Sequence, residues 1–422
     1  MNRMNIVFLA PFGYMPKATV SARMLPMASA LVRAGHQVTV LVPPYDNPSD
    51  SQKQWMQQGV QIENMQVHTN RTGRPAPGIL FSLAVQMARR VLVLNPDVVH
   101  VFKPVGPGAL AMFLLHVRGW RRFIVDSDDW EGRGGWLNVN PYPLWQKLFL
   151  SWQEGWTLRH AQAVTCASTV LVEQSRLMIS GNIPITLLPN GPDDRIRDIV
   201  SHAETERDAL RKRFGWGAEP VLIYTGTVPI NHDLDIAVTA LHQVLASHHD
   251  VRWVIIAAGD GLGSLQTLIR QAGLDAQVQY YGFMPHDSML QYLVAADIAI
   301  YPYRDTLINR AKCSGKVIDY LACGKPVVVS DVGMNHAYIE QGKSGVLTPP
   351  GDAPAFTTAL IQMLDHPTDA SSMGRMGQQH LWSHFAWDGR IDQLVALYQA
   401  IIAPSKPSFE PRNYPPTQSI SS

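Results

Sequence analysis

Eleven short apolar runs, each four to six residues long, punctuate the chain, and most are followed by a turn and then by apolar residues at helical spacing. No other feature narrows the available folds as much. Strands that are apolar along their whole length have both faces covered, and strands joined through helices pair in parallel. The first half carries runs at 6–10, 37–42, 98–102, 123–126, 163–166 and 185–188; the second carries 221–224, 253–258, 278–281, 298–301 and 327–330. Between them, 201–214 is charged, helical in pattern and poor in apolar residues, and with 215–220 it reads as a linker region. The pattern predicts an α/β protein made of two Rossmann-like halves facing each other across a cleft. Two domains of roughly 200 residues are also what 422 residues require, being too many for one ordinary core.

Composition excludes several classes of function. With 35 basic against 34 acidic residues and a net charge of +1, there is no basic excess for a nucleic-acid partner. Cys166, Cys313 and Cys323 are odd in number and lack metal-ligand spacing, which fits free thiols in a reducing, cytoplasmic setting. The apolar run at 4–10 is too short for a signal peptide core and reads as a first strand. Arg89 and Arg90 interrupt the best candidate for a membrane span, so none reaches the ~18–20 residues needed. The Pro- and Ser-rich tail from 403 is expected to be disordered.

The chemistry concentrates between 312 and 331. A polar turn ending in Ser314 and Gly315 opens a short helix, stopped by Gly324 and Pro326 before an apolar strand. A helix start presents unpaired N–H groups and a positive dipole end, which together bind anions. Lys316 in the first turn adds a charge, and Asp319 lies one turn on, where a carboxylate can accept hydrogen bonds from a ribose diol. Phosphate and ribose at one helix start point to a nucleotide.

On the opposite half, 126–131 sets Asp126, Asp128, Asp129 and Glu131 at the end of an apolar strand. A hydrated turn and a hydrogen-bonding or catalytic cluster at the cleft are both open readings. Gly13 and Lys17 follow the first strand, in a loop that is no Gly-x-Gly-x-x-Gly dinucleotide fingerprint; His100 and Lys103 follow an adjacent strand. These four are candidates for the acceptor side of a cleft, with a satisfied strand-end histidine as the other reading of His100. Trp145, Phe149, Trp152 and Trp156 share one helical face, read first as core and alternatively as contact with a membrane surface.

These segments, in order, resemble the retaining, nucleotide-sugar-dependent glycosyltransferases of family 4, which have the GT-B fold. The likeness rests on Tyr224-Thr225-Gly226, Ala258-Gly259-Asp260-Gly261, Tyr281-Gly282-Phe283-Met284-Pro285, the stretches 296–302 and 316–331, the hinge-like 188–193, and Gly35-His36 before the second strand. It implies an acceptor-binding domain at 1–192, a donor-binding domain at 193–385, and a terminal helix at 386–402 packing back on the first. Gly226, Thr227, Gly259, Gly261, Phe283, Arg310, Ser314, Gly315, Lys316 and Asp319 would hold the nucleotide sugar, UDP- or GDP-linked. Asp128 or Asp129 would stand beside the anomeric carbon, where a histidine is usual. The implied acceptor is a saccharide or lipid-linked intermediate of polysaccharide or glycolipid synthesis, and neither cofactor nor metal is expected.

Two departures stand out. Ala311 replaces the family's sugar-contacting glutamate, and the usual Arg and Lys clamp on the diphosphate falls near Thr227 and His232, leaving its charge to Lys316 and to Arg310 or Arg304. An epimerase of the same fold and a non-catalytic nucleotide- or sugar-binding protein are the alternatives.

Overall fold

A computed structural model of the chain describes residues 3–14, 19–69, 78–230 and 232–403. Lys17 and the tail from 404 lie outside the described residues. The first sheet holds eight strands: β1 (Asn5–Leu9), β2 (Gln37–Val42), β3 (Gln54–Gln57), β4 (Val60–Asn64), β5 (Val98–Phe102), β6 (Phe123–Ser127), β7 (Ala163–Cys166) and β8 (Ile185–Leu187). They are ordered β3-β4-β2-β1-β5-β6-β7-β8, all parallel except the β3–β4 pair. The second sheet holds β9 (Val221–Thr227), β10 (Arg252–Ala258), β11 (Val278–Tyr281), β12 (Ile298–Tyr301), β13 (Val327–Ser330) and β14 (Val346–Thr348), in the order β11-β10-β9-β12-β13-β14. β1, β5, β6, β12 and β13 are almost wholly buried, as uninterrupted apolar runs require.

The β3–β4 hairpin breaks the rhythm. Gln58 (φ +52°) and Gly59 (φ +76°) make its two-residue turn, with the left-handed pair that matches the twist of antiparallel strands. Alternating exposure of Gln54–Gln57 hides it from a search for apolar runs.

The stretch 201–214 is helical as expected but is not a free linker: it belongs to the helices Arg195–Thr205 and Arg207–Arg213, packed on the helix His286–Ala295. Arg207 (2.6 Å) and Arg211 (3.0 Å) share the carboxylate of Asp297 at the foot of β12. The charges that suggested a linker are the ones that fasten this segment down. The chain crosses between the sheets at 188–193, and the last helix, Ile391–Ile402, crosses back. Its Leu394, Val395 and Tyr398 join the core formed by Phe8, Leu31 and Val40.

The aromatic stripe was expected to face the core, and it does not. In the helix Leu144–His160 the buried residues are Gln153–Leu158 apart from half-buried Trp156, whereas Trp145 is 69% exposed and Trp152 44%. Periodicity identified the stripe; it could not say which side faced the sheet.

Candidate functional site

Strand ends of both sheets meet at the hinge. From the first sheet, β6 delivers Asp126 into a buried pair with Arg23, whose guanidinium donates to both carboxylate oxygens at 2.7 Å. Thr165 donates to the same carboxylate at 2.6 Å. Burial opposes ionisation of Asp126, but Arg23 outweighs it and keeps the pKa below the usual carboxylate value. Arg23 also donates to Asn190 (2.7 Å) and to the Leu188 carbonyl (3.0 Å). Asn190 in turn donates to the Cys313 carbonyl at 2.7 Å, just before the helix Gly315–Ala322. One chain of hydrogen bonds thus ties the acidic strand end, the hinge and the start of the helix Gly315–Ala322.

Asp128, Asp129 and Glu131 converge on a single cation. Lys103, held at φ +61° after β5, donates to Asp129 (2.7 Å) and Glu131 (2.6 Å) and lies 3.1 Å from Asp128 Oδ1, without the alignment of a hydrogen bond. Burial works against the charge on Lys103, but the three carboxylates prevail and raise its pKa well above that of an ordinary lysine. One ammonium cannot neutralise three carboxylates. Asp128, the most buried of them, is pushed up to about 6, chiefly by burial and then by Asp129 and Asp126 against the pull of Lys103. Asp129 is 37% exposed and is the member that can meet a ligand.

The acceptor-side candidates fare unevenly. Lys103 is spent inside its own domain. His100 is a correction: it is fully buried between Phe8 and Phe102, with Nδ1 2.8 Å from the Tyr398 hydroxyl and Nε2 3.3 Å from Thr165. Burial lowers its pKa to about 4, so it is a neutral core residue with no surface to offer an acceptor. Gly13 is buried in the β1 loop, where neighbouring Phe12 lies 5.8 Å from the Lys103 ammonium.

Across the cleft, the helix Gly315–Ala322 begins in open space, since a Cβ on Gly315 would meet nothing within 4 Å. Lys316 lies over Gly226, whose Cβ, if it had one, would sit 1.8 Å from the lysine Cε. Gly226 (φ +129°) is therefore required both by backbone and by space. Lys312 is brought beside Lys316, over the ring of Tyr303 (4.2 Å), with Lys316 5.8 Å from the centre of Tyr301. Burial lowers the Lys312 pKa, and Lys316 depresses it further against the help of Tyr301 and Asp129. Neither lysine is ion-paired with a carboxylate among the described residues. Two adjacent cations held apart from any carboxylate make a seat for a multiply charged anion.

The other proposed cations are committed elsewhere. Arg304 is held by Asp235 and Asp233, and Arg310 pairs at 2.5 Å with Asp305 on the surface. Arg310, expected as a phosphate donor, thus has Asp305 as its partner in this structure, whereas Lys312 lies beside Lys316; a sequence does not show which arginines have carboxylates waiting. His232, lowered by burial, is near Ser264 (3.3 Å) and brings no cation. Gly259 and Gly261 let the loop after β10 lie on Val228 and Pro229, where a Cβ would come within 2.3 Å and 2.0 Å of their carbonyl oxygens. Thr227 is exposed at the end of β9, Ser314 is the N-cap of the helix Gly315–Ala322, and Phe283, 63% exposed, projects from the loop after β11. Asp319 faces His286 at 3.1 Å, and this carboxylate raises the histidine pKa. His286 was not anticipated; it enters only because the loop after β11 folds over the helix.

Known proteins are similar to this chain in sequence and in fold. Residues 19–191 match the family described as Glycosyl transferase 4-like domain, and 219–366 match Glycosyl transferases group 1. Alpha-D-kanosaminyltransferase of Streptomyces kanamyceticus is 23% identical over 251 residues, 58% of this chain and 63% of that protein. A GDP-mannose-dependent alpha-(1-6)-phosphatidylinositol monomannoside mannosyltransferase of Mycolicibacterium smegmatis is 26% identical over 218 residues, 49% of this chain and 57% of its own length. The chain thus spans about half to two thirds of the length of these curated relatives. Among solved structures, sucrose-phosphate synthase from Thermosynechococcus elongatus superposes with a TM-score of 0.72 at 17% identity, over 95% of this chain and 100% of that one. Anabaena HepE, solved in complex with UDP and glucose, gives 0.68 at 17% identity, over 94% and 100%. The two family matches together take in most of the chain, leaving out the first strand, the segment 192–218 and the residues after 366, and the chain belongs to the group 1, family-4-like glycosyltransferases of the GT-B fold.

Proposed function

We propose that this protein transfers a sugar from a nucleoside-diphosphate donor to a saccharide or lipid-linked acceptor hydroxyl, with retention at the anomeric carbon. The observation that carries the reading is the pair Lys312 and Lys316 at the open start of the helix Gly315–Ala322, free of carboxylate partners among the described residues. A diphosphate leaving group gathers negative charge as the glycosidic bond breaks. Preorganised cations and helix N–H groups stabilise that charge more than the ground state. Asp319 and His286 would take the ribose, and Phe283 would lie against the base.

Asp129, paired with Lys103 yet part exposed, would face the sugar from the other domain and stabilise positive charge developing on its ring. It also favours the charge on Lys312, so the two halves of the cleft are electrostatically complementary when closed. UDP and GDP donors are favoured by relatives and neighbours whose names carry GDP-mannose and UDP.

Incubation of the full chain with a panel of sugar nucleotides tests the reading, with free nucleoside diphosphate scored with and without lysate-derived acceptors. Acceptor-dependent release is expected. Tight nucleotide binding without release under any acceptor would replace transfer with a binding role.

A further inference from the structure

Of seventeen strongly exposed large apolar side chains among the described residues, eleven lie on the helices Ile79–Leu94, Pro107–Val117, Trp136–Val139 and Leu144–His160. Three of these, Ile79–Leu94, Pro107–Val117 and Leu144–His160, pack side by side on one face of the first sheet. Each leads into a strand of a parallel sheet, so the three run parallel, with their N-terminal ends towards the cleft. Leu144, Trp145, Leu148, Phe149 and Trp152 form a continuous apolar surface at that end, at i, i+1, i+4, i+5 and i+8 of one helix. Leu80 and Phe81 are exposed at the same end of a neighbouring helix.

On the three helices themselves the exposed charges are positive, while Asp97, in the turn after Ile79–Leu94, is half-buried and accepts from the Asn5 N–H at 2.7 Å. Arg89, Arg118, Arg121, Lys147 and Arg159 reach solvent on these helices or the turns that follow them, and none is ion-paired with a carboxylate among the described residues. The acidic residue of the three helices, Glu154, is buried under Gly132. In a chain whose charges otherwise balance, cations have been kept on this face and carboxylates kept off it.

We propose that this face docks onto an anionic lipid bilayer. Aromatic and aliphatic side chains would enter the headgroup boundary while the arginines meet lipid phosphates. A second copy of the chain fits worse, because a two-fold contact would set this unpaired cationic face against itself. Among the described residues no helix is long and apolar enough to cross a membrane, so attachment is to the surface. Arg118, Arg121 and Arg159 lie at or beyond the C-terminal ends of these helices, away from the cleft, so the helical face would lie along the bilayer rather than dock by one end. The proposal does not depend on the donor reading.

Co-sedimentation of the full chain with phosphatidylcholine vesicles, with and without roughly 30% phosphatidylglycerol, tests it. Binding to the anionic vesicles, weakened by salt and accompanied by quenching of tryptophan by brominated lipid, is the expected result. Arg118→Glu with Arg121→Glu, and separately Trp145→Ser with Trp152→Ser, should each lower vesicle affinity more than about tenfold. Unchanged melting and nucleotide binding would show both variants folded. Equal sedimentation of wild type and both folded variants would overturn the proposal. So would no binding to either vesicle, or a concentration-dependent dimer abolished by Trp152→Ser.

Discussion

Removing the ammonium of Lys316 is the sharpest test of the leaving-group site. A cation about 4 Å from a phosphoryl oxygen interacts by ~1 kcal/mol in water and ~4 kcal/mol at an effective dielectric of about 20. Lys316 is half-buried, so Lys316→Ala should fall between those limits, at roughly 1.5–3 kcal/mol, the range of a charged hydrogen bond. That corresponds to a loss of about 10- to 150-fold in kcat/KM, with a weaker Kd for free nucleoside diphosphate by calorimetry. Lys312→Ala should act alike, and the double variant should lose at least as much as the two combined, because removing Lys316 alone lets Lys312 hold its charge more firmly and compensate. Gly226→Ala leaves both charges in place yet puts a Cβ 1.8 Å from Lys316 Cε, so it should reproduce most of the Lys316→Ala loss. Wild-type affinity and turnover in folded Lys312→Ala and Lys316→Ala would refute the assignment of these lysines to the diphosphate.

Asp319→Ala should weaken nucleotide binding by ~1–3 kcal/mol and return the His286 pKa towards the ordinary histidine value, which NMR titration would follow. Asp128→Asn should lower turnover while donor affinity stays put. If the carboxylate form of Asp128 is needed, wild-type kcat falls as pH drops through about 6, and the Asn variant loses that limb. The sign for stability is opposite: Asp128 holds its proton more tightly folded than unfolded, so its ionisation costs stability that is recovered as pH falls through about 6. Arg23→Ala strands the buried Asp126 carboxylate and should cost ~3–5 kcal/mol, read as a shift in urea midpoint.

The sheets were legible because parallel strands buried on both faces leave uninterrupted apolar runs, as at 98–102 and 327–330. The hairpin Gln54–Asn64 was not, because the edge strand β3 alternates in exposure and β4 carries polar Glu63 and Asn64, which are buried only because Arg90 and the Asp50 carbonyl meet them. In the site, Lys316 and Asp319 were readable because a turn, a helix start and their spacing are all local. The roles of Arg310, Arg304 and His100 depend on partners that only the fold supplies: Asp305, Asp233 with Asp235, and Tyr398. Lys312 carried a usable signal, four residues before Lys316 across Ser314 and Gly315, and it was the absence of local acids that mattered.

The return of the helix Ile391–Ile402 to the first sheet has a consequence for synthesis. Tyr398 meets His100 across 298 residues, and Trp387 and Arg390 close on the Gly191 and Pro189 carbonyls. At ~5–20 residues per second, the N-terminal half waits on the order of ten to forty seconds after its last strand emerges before the helix that covers Phe8 and Val40 exists. Until then it presents beside the ribosome an apolar sheet face only partly covered, by the helix Leu25–Arg33. The first domain by sequence is the last to be completed, and a fragment stopped at the hinge would leave that face partly uncovered and prone to aggregation.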